Sequence, residues 1–242
     1  MDIKPSKAYI LRKLAELADK NPKIKILDLG SGKSKNFLPL FEKNPKLHYT
    51  GIEPGPEAKT ATELLNKYPN ARIIQSQAYE GFEELNEQFD VVVSLSVLEH
   101  IKNLEKFLAF SIQKLKKGGT LIHLYDLGHY FSPHLIEKIH TRIGSTPIIR
   151  KILPDSHFQS YVSQESVEKY LKQNGITVER ITYHNMPSHV DFTKQLEDTP
   201  KAREAAYKLG EIEADLSEIT DRIPVKKREK IFPSICIWGK KN

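Results

Sequence analysis

The sequence predicts an α/β fold: a seven-stranded, mostly parallel, doubly wound sheet with a helical insertion before the last strand. Two observations carry that expectation. Short runs rich in Ile, Leu and Val alternate with longer amphipathic segments, as when strands are joined by crossover helices. One run, FDVVVSLS at 89–96, is nearly continuous in apolar residues, as a parallel strand covered on both faces must be.

The elements follow in order. KAYILRKLAELADK, ending at residue 20, is amphipathic and predicts an N-terminal helix. Strands are expected at KIKILDLG, LHYTGIEP, ARIIQSQA, FDVVVSLS, GTLIHLYD, ITVERITYH and PSICIWGK. Helices are expected at 35–43, 57–67, 104–115 and 164–174; KKGG stops the third, and Gly175 ends the fourth. Residues 185–231 read as an insertion whose core, KAREAAYKLGEIEADLSEITDRI, has apolar residues at helical spacing. The expected organisation is a single domain over 1–242, with an N-terminal helix (1–21), a core (22–184), the insertion acting as a lid (185–231) and a final strand (232–242).

Composition narrows the classes. A chain of 242 residues with 39% hydrophobic content buries one substantial core. Its 37 basic and 31 acidic residues give +6 but are spread along the chain, so nucleic acid is a possible partner and not the favoured one. The single cysteine, Cys236, excludes an internal disulfide or a Cys-rich zinc cage and suits a reducing compartment. MDIKPSKAYILRKL has no long apolar run, so neither a secretory signal nor a membrane span is expected there, and a cytoplasmic location is.

IKILDLGSGKSKNF, at 24–37, contains two partial phosphate-binding patterns and completes neither. A nucleoside-triphosphate loop needs glycine at position 27, which is Leu27. A dinucleotide fingerprint needs a small residue at position 35, which is Lys35. Asp28, at the strand end, would also repel a pyrophosphate. A ligand presenting an ammonium or sulfonium is favoured, with backbone N–H groups at the next helix start left to hold a carboxylate.

Asp28, Gly30 and Gly32 resemble the acidic-x-Gly-x-Gly-x-Gly motif of the class I S-adenosylmethionine-dependent methyltransferases, with Ser34 at the third glycine and able to cap the following helix. GIEP at the second strand, FDVVVSLSVLEHI at the fourth and LKKGGTLIHLYD at the fifth continue the resemblance to the small-molecule branch, over roughly residues 22–126. It implies S-adenosyl-L-methionine as cofactor. Asp28, Gly30, Ser31 and Gly32 would form its turn, and Glu53, 25 residues beyond Asp28, would take the ribose hydroxyls beside Pro54. Gln77 and Ala78 would meet adenine, and Ser94 and Leu95 would flank the methionine portion. Lys33 reads as a solvated lysine.

Methyl transfer from such a donor needs an acceptor placed in line, and a base when the acceptor is a hydroxyl. Candidates after the fourth and fifth strands are Glu99, His100, His123, Asp126, His129 and Tyr130. His129 leads, with Asp126 and His100 beside it, because DLGHYFSPH follows the fifth strand and mixes aromatic with polar groups. No Asn-Pro-Pro-Tyr element is present, Cys236 lies inside the final strand, and Asp126, His129 and His134 lack the spacing of a metal site. Tyr9, Met186, His189, Phe192 and Tyr207 either line the acceptor side or anchor the helices. The expected activity is methylation of a small-molecule acceptor; the alternatives are an RNA or protein methyltransferase, or a non-catalytic protein that binds the cofactor or RNA.

Overall fold

A computed structural model describes residues 4–77, 85–131, 158–220 and 222–242, with the side chains of His129 and Phe131 outside that set. Among the described residues one sheet has the strand order β3-β2-β1-β4-β5-β7-β6. Its members are β1 (Lys25–Leu29), β2 (His48–Ile52), β3 (Ala71–Ile74), β4 (Phe89–Leu95), β5 (Leu115–Asp126), β6 (Ile176–His184) and β7 (Ser234–Lys241). The pairs from β3 to β5 are all parallel, and β7 runs antiparallel to both β5 and β6. The sheet is therefore mostly parallel, as the sequence predicts, with one reversed strand.

The helices are α1 (Pro5–Lys20), α2 (Leu38–Lys43), α3 (Glu57–Leu65), α4 (Leu104–Lys114), α5 (Gly128–Phe131), α6 (Gln164–Gln173), α7 (Pro187–Lys194), α8 (Pro200–Glu218) and α9 (Val225–Ile231). Each begins where its chemistry allows. Asn103 caps α4, Ser163 caps α6 and Thr199 caps α8, each side chain accepting an N–H of the first turn. Gly175, at φ +80°, stands just past α6 as expected. The expected 35–43 helix is a 3-10 turn at Lys35–Phe37 running into α2, with Pro39 in the first turn of α2, where its missing N–H is harmless.

Both faces of the sheet are covered. On one, Phe107, Leu108, Val167 and Leu171 of α4 and α6 bury against Leu27, Val92, Leu121 and Tyr125. On the other, Ile10, Leu14, Phe41 and Ala214 of α1, α2 and α8 bury against Ile26, Tyr49, Val93 and Leu124. Each fully buried aliphatic side chain contributes about 2 kcal/mol of transfer free energy. Three helices, α7 to α9, fill the stretch between β6 and β7, and α8 lies against α1 and β6. At that crossing a Cβ on Gly210 would come within 2.4 Å of the Pro5 carbonyl and 2.8 Å of Tyr9 Cβ, so the contact requires glycine.

Tyr9 is buried between His184, Tyr207 and Trp238, with ring centroids 5.2, 6.5 and 6.4 Å away. Tyr9 and Tyr207 thus anchor the helices to the sheet, Met186 packs on the core, and Phe192 is exposed. Cys236 is fully buried in β7, as expected of a small core residue.

Candidate functional site

The carboxyl ends of β1, β4 and β5 bring the polar residues of the site together, since parallel strands deliver their following loops to one edge. β1 ends in a turn of left-handed residues: Gly30 (φ +75°), Gly32 (φ +52°) and Ser34 (φ +54°). A side chain at Gly30 would come within 2.6 Å of Val97, so glycine is needed there for space as well as for φ.

One expectation about this turn is corrected. Ser34 does not cap the next helix; it takes the left-handed conformation itself, and its hydroxyl lies 3.0 Å from the Tyr49 hydroxyl. The first amides of the turn are held within the protein. The N–H groups of Gly30 and Ser31 both donate to the Ile52 carbonyl, at 2.8 and 3.0 Å. Closing the turn onto β2 satisfies those donors within the protein, as buried amides require.

Asp28 is buried, and desolvation pushes its carboxyl up to about 7, opposed by the Tyr49 hydroxyl and the Lys7 cation and reinforced by Glu53. The Tyr49 hydroxyl donates to Oδ2 at 2.8 Å, while Oδ1 is buried with no partner. An acceptor left dry and unpaired costs about 1–3 kcal/mol, so this oxygen suits a donor that none of the described residues supplies. Glu53 sits across the turn, its two oxygens accepting from Gly32 N–H and Gly55 N–H, each at 2.8 Å. A carboxylate has about four lone-pair sites, so these bonds orient it and leave capacity for a diol.

The donor set therefore fits S-adenosylmethionine: an unpaired carboxylate oxygen for an ammonium and an oriented carboxylate for ribose. Gly30, Ser31, Gly32 and Pro54 lie with them on the β1 and β2 loops. Gln77 follows β3, at the position expected for adenine, and Ala78 lies outside the described residues. The Ser94 side chain is buried away from the edge, 2.8 Å from His123 Nδ1, so only its backbone faces the crevice end of β4 beside Leu95. Lys33 is exposed, matching the solvated reading.

The acid–base candidates separate by environment. His123 is sealed between Ser94 and Ser111, 2.8 and 3.3 Å from its two ring nitrogens, and burial pushes its pKa down to about 3. It is a neutral internal group. His100, in the 3-10 turn Leu98–His100, donates from Nδ1 to the Phe158 carbonyl at 2.9 Å. Asp126 accepts from Lys4 Nζ and Gly128 N–H, both at 2.7 Å, so each oxygen is engaged. The backbone of His129 is in α5, while its side chain and all of His134 lie outside the described residues.

Glu99 was absent from the leading sequence candidates and is the most unusual group here. It is 3% exposed; Oε1 accepts Asp126 N–H at 3.2 Å, and Oε2 is buried without a partner. Desolvation raises its carboxyl to about 8, with the Asp126 charge adding to the rise and Lys7 opposing it. The signal was present as one carboxylate in the apolar turn SVLEHI, which buries Leu98 beside it.

A model described as a methyltransferase domain matches residues 5–181. The mitochondrial ubiquinone biosynthesis O-methyltransferase of Rattus norvegicus is 31% identical over 174 residues, 65% of this chain and 46% of that protein. The one from Homo sapiens is 32% identical over 175 residues, 65% of this chain and 42% of that protein. This chain thus spans less than half the length of these relatives. The ubiquinone biosynthesis O-methyltransferase of Pseudomonas fluorescens (strain Pf0-1) is 26% identical, over 78% of this chain and 79% of that protein.

Among solved structures, the magnesium protoporphyrin IX methyltransferase from Synechocystis PCC 6803, solved with bound S-adenosyl-L-homocysteine, superposes with TM-score 0.56 at 12% identity, covering 98% of this chain and 84% of the other. The geranyl diphosphate C-methyltransferase of Streptomyces coelicolor A3(2), solved with S-adenosyl-L-homocysteine, gives 0.57 at 10%, covering 96% and 79%. These likenesses are of fold. Match and fold agree: the chain belongs to the methyltransferase domain family, and its fold is that of the class I S-adenosylmethionine-dependent methyltransferases.

Proposed function

We propose that this chain methylates a hydroxyl of a small organic acceptor, with a phenol as the acceptor class. The observation that carries the cofactor half is the pairing of Asp28, whose buried Oδ1 has no partner, with Glu53, whose carboxylate is oriented by two backbone amides. S-adenosylmethionine supplies an activated methyl group when bound. The chain's own part is to hold it: Asp28 opposite the ammonium, Glu53 and Pro54 at the ribose, Gln77 and Ala78 at adenine, and Ser94 and Leu95 by backbone along the methionine portion.

Support for the acceptor half comes from the crevice and the relatives. Tyr125, next to last in β5, has a buried hydroxyl with no partner among the described residues. Tyr130 and Tyr161, each more than a third exposed, bring their ring centroids within 5.1 Å, a surface suited to an aromatic ring. The relatives named for ubiquinone biosynthesis are O-methyltransferases.

The test is methyl transfer from tritiated S-adenosylmethionine to a panel of phenols and catechols, with amines, a peptide mixture and RNA in parallel. Label in a hydroxyl acceptor supports the reading. Label confined to RNA, peptide or amine overturns it.

A further inference from the structure

We propose that Glu99 receives the proton of the acceptor hydroxyl. This inference rests on the hydroxyl-acceptor reading above and assigns its missing base. The turn after β4 sets Glu99 beside the end of β5, where Asp126 N–H holds Oε1 and Ser160 N–H fixes the residue's own carbonyl at 2.8 Å. That leaves Oε2 oriented, desolvated and unpaired.

Several other groups act on it. Asp126 and Tyr125 reach it from β5 and Lys7 from α1, while Lys4 is already paired with Asp126. Lys7 bears on both Glu99 and Asp28, so the two buried carboxylates with an unpaired oxygen stand within reach of one cation. β1 and β4 are parallel neighbours in the sheet, so Asp28 near the end of β1 and the turn after β4 that carries Glu99 stand at the same sheet edge.

Among the described alternatives, Asp126 already faces the Lys4 ammonium and accepts Gly128 N–H, His123 is enclosed, and His100 is tethered through Nδ1 to the Phe158 carbonyl; the side chain of His129 lies outside the described residues. Glu99 is also the right group by charge. As it takes the O–H proton, the acceptor oxygen forms a bond to the methyl carbon and the C–S bonding pair returns to sulfur. A carboxylate and a sulfonium become a neutral acid and a neutral thioether, so a low-dielectric site favours the change.

Without ligand the raised carboxyl holds its proton at pH 7, and the nearby positive sulfur must release it. Two measurements test the proposal. In difference infrared spectra at pH 7, S-adenosylmethionine should abolish a protonated-carboxyl band that S-adenosylhomocysteine, lacking the positive sulfur, leaves in place. Glu99→Gln should lack that band. Any band change at Asp28 is common to both ligands, because both carry the ammonium.

With catechol as acceptor, Glu99→Gln should lose about 100-fold or more in kcat and the acidic limb of the pH profile, while cofactor Kd stays within about threefold. A band indifferent to the sulfur charge overturns the role, as does kcat within about threefold of wild type, or loss of cofactor binding in step with kcat. If the wild type methylates no hydroxyl at all, the acceptor reading falls and takes this role with it. A wild type that works equally well as Glu99→Gln sinks this role alone. Should Glu99→Gln fail to fold, the infrared comparison still decides on wild-type protein.

Discussion

The Tyr49 hydroxyl donates to Asp28 Oδ2 at 2.8 Å and leaves Oδ1 of the same buried carboxylate unpaired. One oxygen is therefore held by the protein, and the other has no partner among the described residues. Because desolvation raises Asp28 to about 7, cofactor binding should be linked to proton release.

The sign follows directly. The cation binds the ionised form, so affinity should fall toward about tenfold per pH unit below 7 and level off above about 8. Calorimetry with S-adenosylhomocysteine from pH 5.5 to 8.5, in buffers of different ionisation heat, measures both the slope and the released proton. Asp28→Asn should bind about 10–100-fold more weakly and without that slope.

Tyr49→Phe removes the hydrogen bond that favours the charged carboxylate. The Asp28 pKa should rise further, and the affinity profile should move to higher pH, by up to about one unit for a bond worth roughly 1.4 kcal/mol. A profile left in place would mean that Tyr49 serves packing against Phe37 and Phe41 alone.

Asp28 and Glu99 also tie ligand-free stability to pH. Both carboxyls are raised in the fold, so their contribution to stability is full below their unfolded pKa values near 4 and is lost as pH rises through about 7 and 8. A Glu99→Gln variant should gain melting temperature over wild type between pH 5 and 9, by about 2–4 °C for each kcal/mol recovered. Thermal scans without ligand check this, and an advantage that shrinks with pH contradicts it.

Gly210→Ala should loosen α8 from α1, because the new methyl would meet the Pro5 carbonyl at 2.4 Å. The overlap is with backbone, which must move, so a loss of about 1–3 kcal/mol is expected despite the better helix propensity of alanine. Urea denaturation of both proteins measures it. A stability gain would show that the helices separate without penalty.

Much of this was readable in the chain. Strands such as FDVVVSLS announce themselves because both faces are covered, and Gly30 and Gly32 mark positions where the backbone must turn left-handed. The insertion of β7 between β5 and β6 could not be read, since strand order depends on packing between distant segments. Ser34 was misjudged as a cap because a small hydroxyl residue suits either a cap or a left-handed turn, and the partner that decides, Tyr49, comes from another strand. Glu99 was passed over for histidine because its burial and its bond to Asp126 N–H are tertiary facts.

The reversed strand has a mechanical consequence. β6 reaches the rest of the sheet through β7, and α8 rests on β6, so β7 is a coupling between the parallel strands and the helices over α1. Amides of β6 and β7 should exchange with solvent as one unit, because releasing either frees an edge of the other. A ligand gripped at β1 and β4 would slow that exchange only as far as β5 transmits the strain across its antiparallel seam.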